Sequence, residues 1–403
     1  MIKTDKDLSF LHHPNYLDLS AYYLDHPIAL YAGAGVSKSG NPAFGVGLWD
    51  EFVRSILVLD GNVNPETVEA FDKNKSKWKD KPWEMAEWVA YKIGYDAFER
   101  HVTAIIQRKE NFQEKYKLLS GKFLENARTL NSLVAFCAGL SGGKIAEDSK
   151  GQQTAVYRRS INQRVRAIVT SNYDPFLEAA SATMFRKPIL KPVAARGSSV
   201  GTLVEIPVFH IHGYVPIPYK FRKQGTATPT PFVDPVITTS DYKSAWKANN
   251  VYNFTMGPQI HILRHYAVLF IGFSFRDKWV NHLLTKLNEE RRDRKDRLYH
   301  YALLWKDEID ARGAAPFFDE LGVKTIPLDN HSQIKDLLGH LYQQALVYDH
   351  AGEVEFPLPP YAGRGGTKPD RPVCLTPADY FEELYHCRLS MVRRKRPSTG
   401  PDS

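Results

Sequence analysis

Four short strand-like runs set the architecture, because each stops at a glycine or a small polar residue. Residues 29–32 break at Gly33, 164–170 at Ser171-Asn172, 206–212 at Gly213, and 267–271 at Gly272. Two further runs, 299–305 and 323–327, follow without such a stop. Between them lie patterns of helical period: Phe52, Val53, Ile56 and Leu57 early, and Trp279 to Leu287 late. Strands that alternate with helices pair in parallel and are covered on both faces. The fold expected is therefore α/β: a Rossmann-like, doubly wound parallel sheet.

Between residues 60 and 160 strand patterns are scarce and helical ones frequent. Met85, Trp88, Val89 and Ile93 follow Pro82, and later come Phe98, Val102, Ile105 and Ile106, then Leu130, Leu133, Val134 and Cys137. This stretch reads as a helical insertion, with Ser141-Gly142-Gly143 as a loop near its end. The predicted division is then 1–59 for the start of the Rossmann-like domain, 60–160 for the insertion and 161–350 for the rest of that domain. Residues 351–403 form a C-terminal arm that is rich in Pro and Gly and finishes in the basic tail Arg393-Arg394-Lys395-Arg396.

Composition narrows the class. Lys and Arg exceed Asp and Glu by eight over 403 residues, a modest surplus that suits a solvated surface and is compatible with anionic ligands. Cys137, Cys374 and Cys387 are too few for a disulfide framework or a four-thiolate zinc site. No run approaches the roughly 18 apolar residues that span a bilayer, and the charged N-terminus lacks a leader pattern. A cytoplasmic protein without a membrane segment is expected.

In an open parallel sheet, ligands bind beyond the carboxyl ends of the strands. The turn Gly33-Ala34-Gly35-Val36-Ser37 offers backbone N–H groups that no side chain shields, a geometry that suits phosphate. Taken singly, each strand end has a plain role. A glycine turns the chain, Asn172 suits a turn, His212 suits a buried packing position, and Asp174 caps the helix that Pro175 begins. Their common place at four strand ends is what directs attention to one site.

On these segments the chain resembles the sirtuin-like (silent-information-regulator type) superfamily. The resemblance runs through Gly33-Ala34-Gly35-Val36-Ser37, Thr170-Ser171-Asn172-Tyr173-Asp174, His212-Gly213 and Gly272-Phe273-Ser274-Phe275, and touches roughly residues 28–330. It implies an NAD-binding fold that cleaves the nicotinamide–ribose bond, with NAD+ as substrate and no metal. Carried over, Gly33, Ala34, Gly35 and Ser37 hold the diphosphate and adjoining ribose. Asn172 orients the nicotinamide ribose or the attacking water, His212 is the general base, and Gly272 and Ser274 meet the adenosine side; Asp174 lies near the ribose or caps its helix. Protein deacylases of this type carry a four-cysteine zinc module after the histidine, whereas residues 213–271 here contain no cysteine. The ending Gly272-Phe273-Ser274-Phe275-Arg276-Asp277 and the helical insertion look like bacterial sirtuin-like effectors of antiphage defence, which hydrolyse NAD+. That likeness further implies homo-oligomerisation and a partner of the HerA-type ATPase or prokaryotic Argonaute class. Direct contact of the basic tail with nucleic acid is left open.

The residue types fit that chemistry. Nicotinamide leaves from a cationic ring nitrogen, so no strong acid is required, unlike ordinary glycoside hydrolysis. A histidine with an ordinary pKa near 6.5 is a natural base, and an amide can fix a water without adding charge. Three other readings stand beside it. A non-catalytic sensor or assembly subunit would bind NAD or an ADP-ribose relative and pass that state on. A metallohydrolase would use His210 with His212, or His261 with His265, at metal-compatible spacings. A dehydrogenase would use Asp60 for the ribose, but Lys38 stands where the third glycine of a dinucleotide fingerprint belongs.

Overall fold

The computed structural model describes residues 5–38, 49–78, 81–106, 128–147, 153–159, 164–184, 189–194, 205–216, 236–245, 256–292, 297–311, 315–330, 332–349 and 352–357. The glycine-containing stretch 39–48, most of the Pro- and Thr-rich loop 216–239 and the basic tail lie outside these residues.

Apolar runs too short for helices become strands. In chain order they are β1 (Ile28–Ala32), β2 (Leu140–Glu147), β3 (Gln153–Arg159), β4 (Val165–Thr170), β5 (Leu190–Val193), β6 (Ile206–His210), β7 (Ala267–Ile271), β8 (His300–Trp305), β9 (Val323–Leu328) and β10 (Gly352–Pro357). Seven of them make one sheet in the order β5-β6-β4-β1-β7-β8-β9, with every pairing parallel. The α/β, Rossmann-like sheet read from the sequence is the fold. All five residues of β1 are buried, as a central strand covered on both faces requires.

Alternation along each strand divides the core in two. Ile28, Leu30 and Ala32 of β1, with Leu269 and Ile271 of β7, pack on one face against the helices Pro14–Asp25, Arg128–Ala138, Phe176–Met184 and Ser332–Asp349. Ala29 and Tyr31, with Val268 and Phe270, pack on the other against the helices Gly257–His265, Lys278–Glu289 and Ala315–Leu321. From β1 the chain moves to β4 on one side and later to β7 on the other. The carboxyl end of β1 is thus the topological switch point where such sheets bind ligands.

The insertion is bounded differently from 60–160. The helix Trp49–Leu59 already belongs to it. Phe52, Val53, Ile56 and Leu57 share a separate core with Phe71, Met85, Val89, Phe98 and Val102. That core also takes in Tyr173 just past β4, Val215 just past β6, and Ile237, whose neighbour Val236 donates to the His212 carbonyl at 2.7 Å, so the insertion sits over the carboxyl edge. The helix Arg128–Ala138, by contrast, packs under the main sheet. Ser141-Gly142-Gly143 is not a loop but part of β2, which pairs antiparallel with β3, as does β10. Glycine-rich strands read as turns, and β10 comes from far along the chain, so no local period could reveal this sheet.

A backbone clamp joins the turn after β1 to the end of β7. The Gly33 N–H donates to the Ile271 carbonyl at 2.9 Å and the Gly35 N–H to the Gly272 carbonyl at 3.0 Å. A Cβ on Gly33 would overlap the Gly272 carbonyl and lie 2.7 Å from the Phe273 Cα, and one on Gly272 would lie 2.6 Å from the Val36 nitrogen. Gly272 also has φ +63°, a region that penalises any Cβ. Either Gly33→Ala or Gly272→Ala is expected to cost about 3 kcal/mol or more in urea unfolding. A loss under about 0.5 kcal/mol would show that the two turns separate freely.

Candidate active site

Beyond the carboxyl edge, β4 and β6 deliver their polar residues side by side. Thr170 pairs in register with His210, so Asn172 and His212 each stand two residues past a strand end on neighbouring strands. The Ile211 N–H donates to the Thr170 carbonyl at 3.0 Å and the Val215 N–H to the Tyr173 carbonyl at 2.8 Å, which ties the two turns together. Strand β6 stops at His210 rather than at 212, and this places His212 in the turn, facing a different environment from its neighbour.

Asn172 is held from three directions. Its N–H donates to the Thr170 hydroxyl at 3.1 Å, while Thr170 itself donates to the Ala32 carbonyl at 2.8 Å. Its side-chain Nδ2 donates to the Gly33 carbonyl at 3.1 Å and to the Ser37 hydroxyl at 2.9 Å. Ser37 in turn donates to the two Asp174 carboxylate oxygens at 2.9 and 3.0 Å. A carbonyl and a hydroxyl whose proton is directed elsewhere can only accept here. The amide is therefore fixed with Nδ2 toward β1, and Oδ1 is the group left to engage a ligand.

The carboxylate below is unusual. Asp174 is buried and its pKa is pushed up to about 6, chiefly by burial, against the opposing hydrogen bonds from Ser37 and the Phe176 N–H. It caps the helix Phe176–Met184 through that Phe176 contact at 3.2 Å, the capping role read from the sequence. His210 is fully buried between the Asn172 carbonyl, 2.9 Å from Nδ1, and Glu178, 2.7 Å from Nε2. Burial pulls its pKa down, but the Glu178 charge and both hydrogen bonds outweigh that and raise it above the usual value. His210 thus anchors the floor of the site.

His212 shows the opposite balance. Burial lowers its pKa below 6.5, and the nearby Asp277 carboxylate offsets only part of that. The imidazole is consequently neutral at pH 7, the form a base requires. Its Nε2 lies 3.7 Å from Asp277 Oδ2. Asp277 follows β7 and also caps the helix Lys278–Glu289 by accepting from the Trp279 and Val280 N–H groups.

The structure joins Gly33, Gly35, Ser37, Asn172, Asp174 and Gly272 in one network and sets His212 on the adjoining strand end, beside Asp277. The Gly33 and Gly35 amides face β7 rather than open crevice, so of that turn Ala34 presents an exposed residue, as Ser274 does on the opposite rim. Of the two supporting residues, Glu178 escaped the sequence reading, and Asp277 reads there as ambiguous between a ribose contact and a helix cap. Glu178 could have been found by its place one helical turn after Asp174. Asp60 lies in the insertion and pairs with His101 at 3.2 Å. Among the described residues no group of three His, Cys, Asp or Glu is arranged to hold a metal, and no helix is long and apolar enough to cross a membrane.

The seven-stranded, all-parallel α/β sheet, with Asn172 and His212 at strand ends beside its switch point, is a Rossmann-like fold. More particularly, residues 166–326 match the SIR2-like domain, a stretch that covers Asn172, Asp174, His212, Gly272 and Ser274 and begins after the turn at Gly33. This supports NAD-related chemistry for the chain. No curated protein matches it.

The raised Asp174 pKa has a consequence for stability. A carboxyl whose folded pKa exceeds its unfolded value stabilises the fold below the unfolded value and loses that contribution as pH rises through the folded one. Relative to Asp174→Asn, the native protein is expected to lose about 2 kcal/mol between pH 4 and pH 7 in urea titrations. A difference that stays constant over this window would mean Asp174 ionises normally.

Proposed function

We propose that this chain is an NAD+ glycohydrolase, which splits the nicotinamide–ribose bond to give nicotinamide and ADP-ribose. The observation that carries the reading is the pair of Asn172 and a neutral His212 on adjoining strand ends beside the switch point. The donor set fits the dinucleotide: a directed amide oxygen, a base with lowered pKa and small residues on both rims.

In this reading Asn172 Oδ1 positions the water or a ribose hydroxyl at the anomeric carbon. The bond to nicotinamide breaks with its electron pair going to the ring nitrogen, a bond forms to the water oxygen, and His212 takes the water proton. That proton then passes to solvent. The buried Asp174, Ser37, His210 and Glu178 keep Asn172 oriented, so no reorganisation accompanies the step. The SIR2-like match supports NAD use, and the resemblance to antiphage effectors supports a role in NAD depletion. Control by oligomerisation or by a HerA-type or Argonaute partner belongs to that same resemblance.

Purified protein incubated with NAD+, with and without such partners, is expected to release nicotinamide in chromatographic assays. His212→Ala is expected to cut the rate by about 100-fold or more, with little change in thermal midpoint, and Asn172→Ala to do the same at some cost in stability. The native rate is expected to hold down to below pH 6.5, since the pKa of the base is lowered. Tight NAD+ binding without nicotinamide release under every condition would favour the sensor reading instead.

A further inference from the structure

We propose that Asp277 is the positioning residue for His212, holding the imidazole over the crevice and stabilising its charged form as the proton arrives; this rests on the NAD+ glycohydrolase reading. The placement is not a local accident of helix capping. Strands β6 and β7 are separated by β4 and β1, a distance of about 14 Å at ordinary strand spacing. Asp277 and His212 nevertheless approach to 3.7 Å. The segment after β7 therefore reaches across the ends of β1 and β4 to meet the turn after β6.

The backbone of that segment is built for the crossing. Gly272 turns at φ +63° and Phe275 sits at φ +52°, a left-handed conformation that is strained for an aromatic residue. The Phe275 carbonyl is held by Asn281 Nδ2 at 2.8 Å, and its ring packs edge-on to Phe273 and Phe318. Strain that packing and hydrogen bonds over-determine often marks a functional segment. Here it delivers Asp277 two residues later. The next residue, Lys278, lies over the ring of Trp83 in the insertion, 4.3 Å from its centroid, so the helix start is fixed from a second side.

The surrounding charges single out Asp277. Asp174, Glu178 and His210 lie beneath β4 and β6, and Asp241 is turned onto the Ile237 and Thr238 N–H groups. Tyr31 and Tyr173 lie within reach of the Asp277 charge, which adds to the burial that raises both phenols. Besides burial, Asp277 is the group that perturbs His212. A capping role needs only an acceptor oxygen, which Asn or Ser supplies equally well. The negative charge is the part that capping does not require.

Asp277→Asn and Asp277→Ser separate the two roles, because both keep the cap and remove the charge. In each, kcat for NAD+ is expected to fall roughly ten-fold with KM changed little. The acid limb of the pH–rate profile is expected to move to lower pH, because the charge that raised the His212 pKa is gone. The His212 resonance, assigned by its absence from His212→Gln, is expected to show the same downward shift in a histidine NMR titration. Native-like activity and pH profile in both variants would overturn the assignment while leaving NAD+ hydrolysis intact. An unchanged His212 titration would overturn it whatever the activity. A native protein that releases no nicotinamide, yet whose His212 titration shifts in the variants, would remove the hydrolase reading and keep the Asp277–His212 pairing.

Discussion

Two backbone hydrogen bonds, from Gly33 to Ile271 and from Gly35 to Gly272, bring the turn after the central strand against the end of its neighbour with no side chain between them. The contact is possible only because Gly33 and Gly272 both lack a Cβ, and it fixes the rim on which the site depends. Gly33, so held, presents its carbonyl to Asn172 Nδ2. Gly272, so held, starts the segment that carries Asp277 across to His212. A glycine turn that reads as a phosphate cradle is here first a joint between two strands.

From that joint the electrostatics follow. Two histidines two residues apart are driven in opposite directions. His210 lies inside the protein against Glu178 and is raised, whereas His212 lies in the turn and is lowered by burial that Asp277 only partly offsets. One serves as a floor for Asn172, and the other is held neutral at pH 7. Asp174, buried beneath Ser37, completes a chain in which each hydroxyl and amide has one orientation open to it. Such a chain holds its geometry before substrate arrives, which is how a polar site avoids reorganisation during reaction.

Six strands of the parallel sheet were legible as short apolar runs, four of them with an abrupt glycine or polar stop, and the strand ends carrying Asn172 and His212 came with them; β5, only four residues long with Pro192 inside it, was not. What the sequence hid was non-local. Whether the helix Trp49–Leu59 packs on the sheet or on the insertion depends on Phe71, Met85 and Tyr173, far from it in the chain. The small antiparallel sheet depends on β10, almost 200 residues beyond its partner β3. Asp277 reads locally as a cap because its approach to His212 depends on the left-handed turn at Phe275, a conformation that no propensity suggests for phenylalanine. Glu178 sat in plain view, one turn beyond Asp174, but only the facing strand shows that His210 needs it.

The most direct measurement is a crystal structure of His212→Ala protein with NAD+ bound. The nicotinamide ribose is expected beside Asn172 Oδ1, with its anomeric carbon facing position 212 and the adenosine half toward Gly272 and Ser274. A dinucleotide bound elsewhere, or one whose nicotinamide end lies away from both residues, would contradict a single crevice shared by the amide and the imidazole.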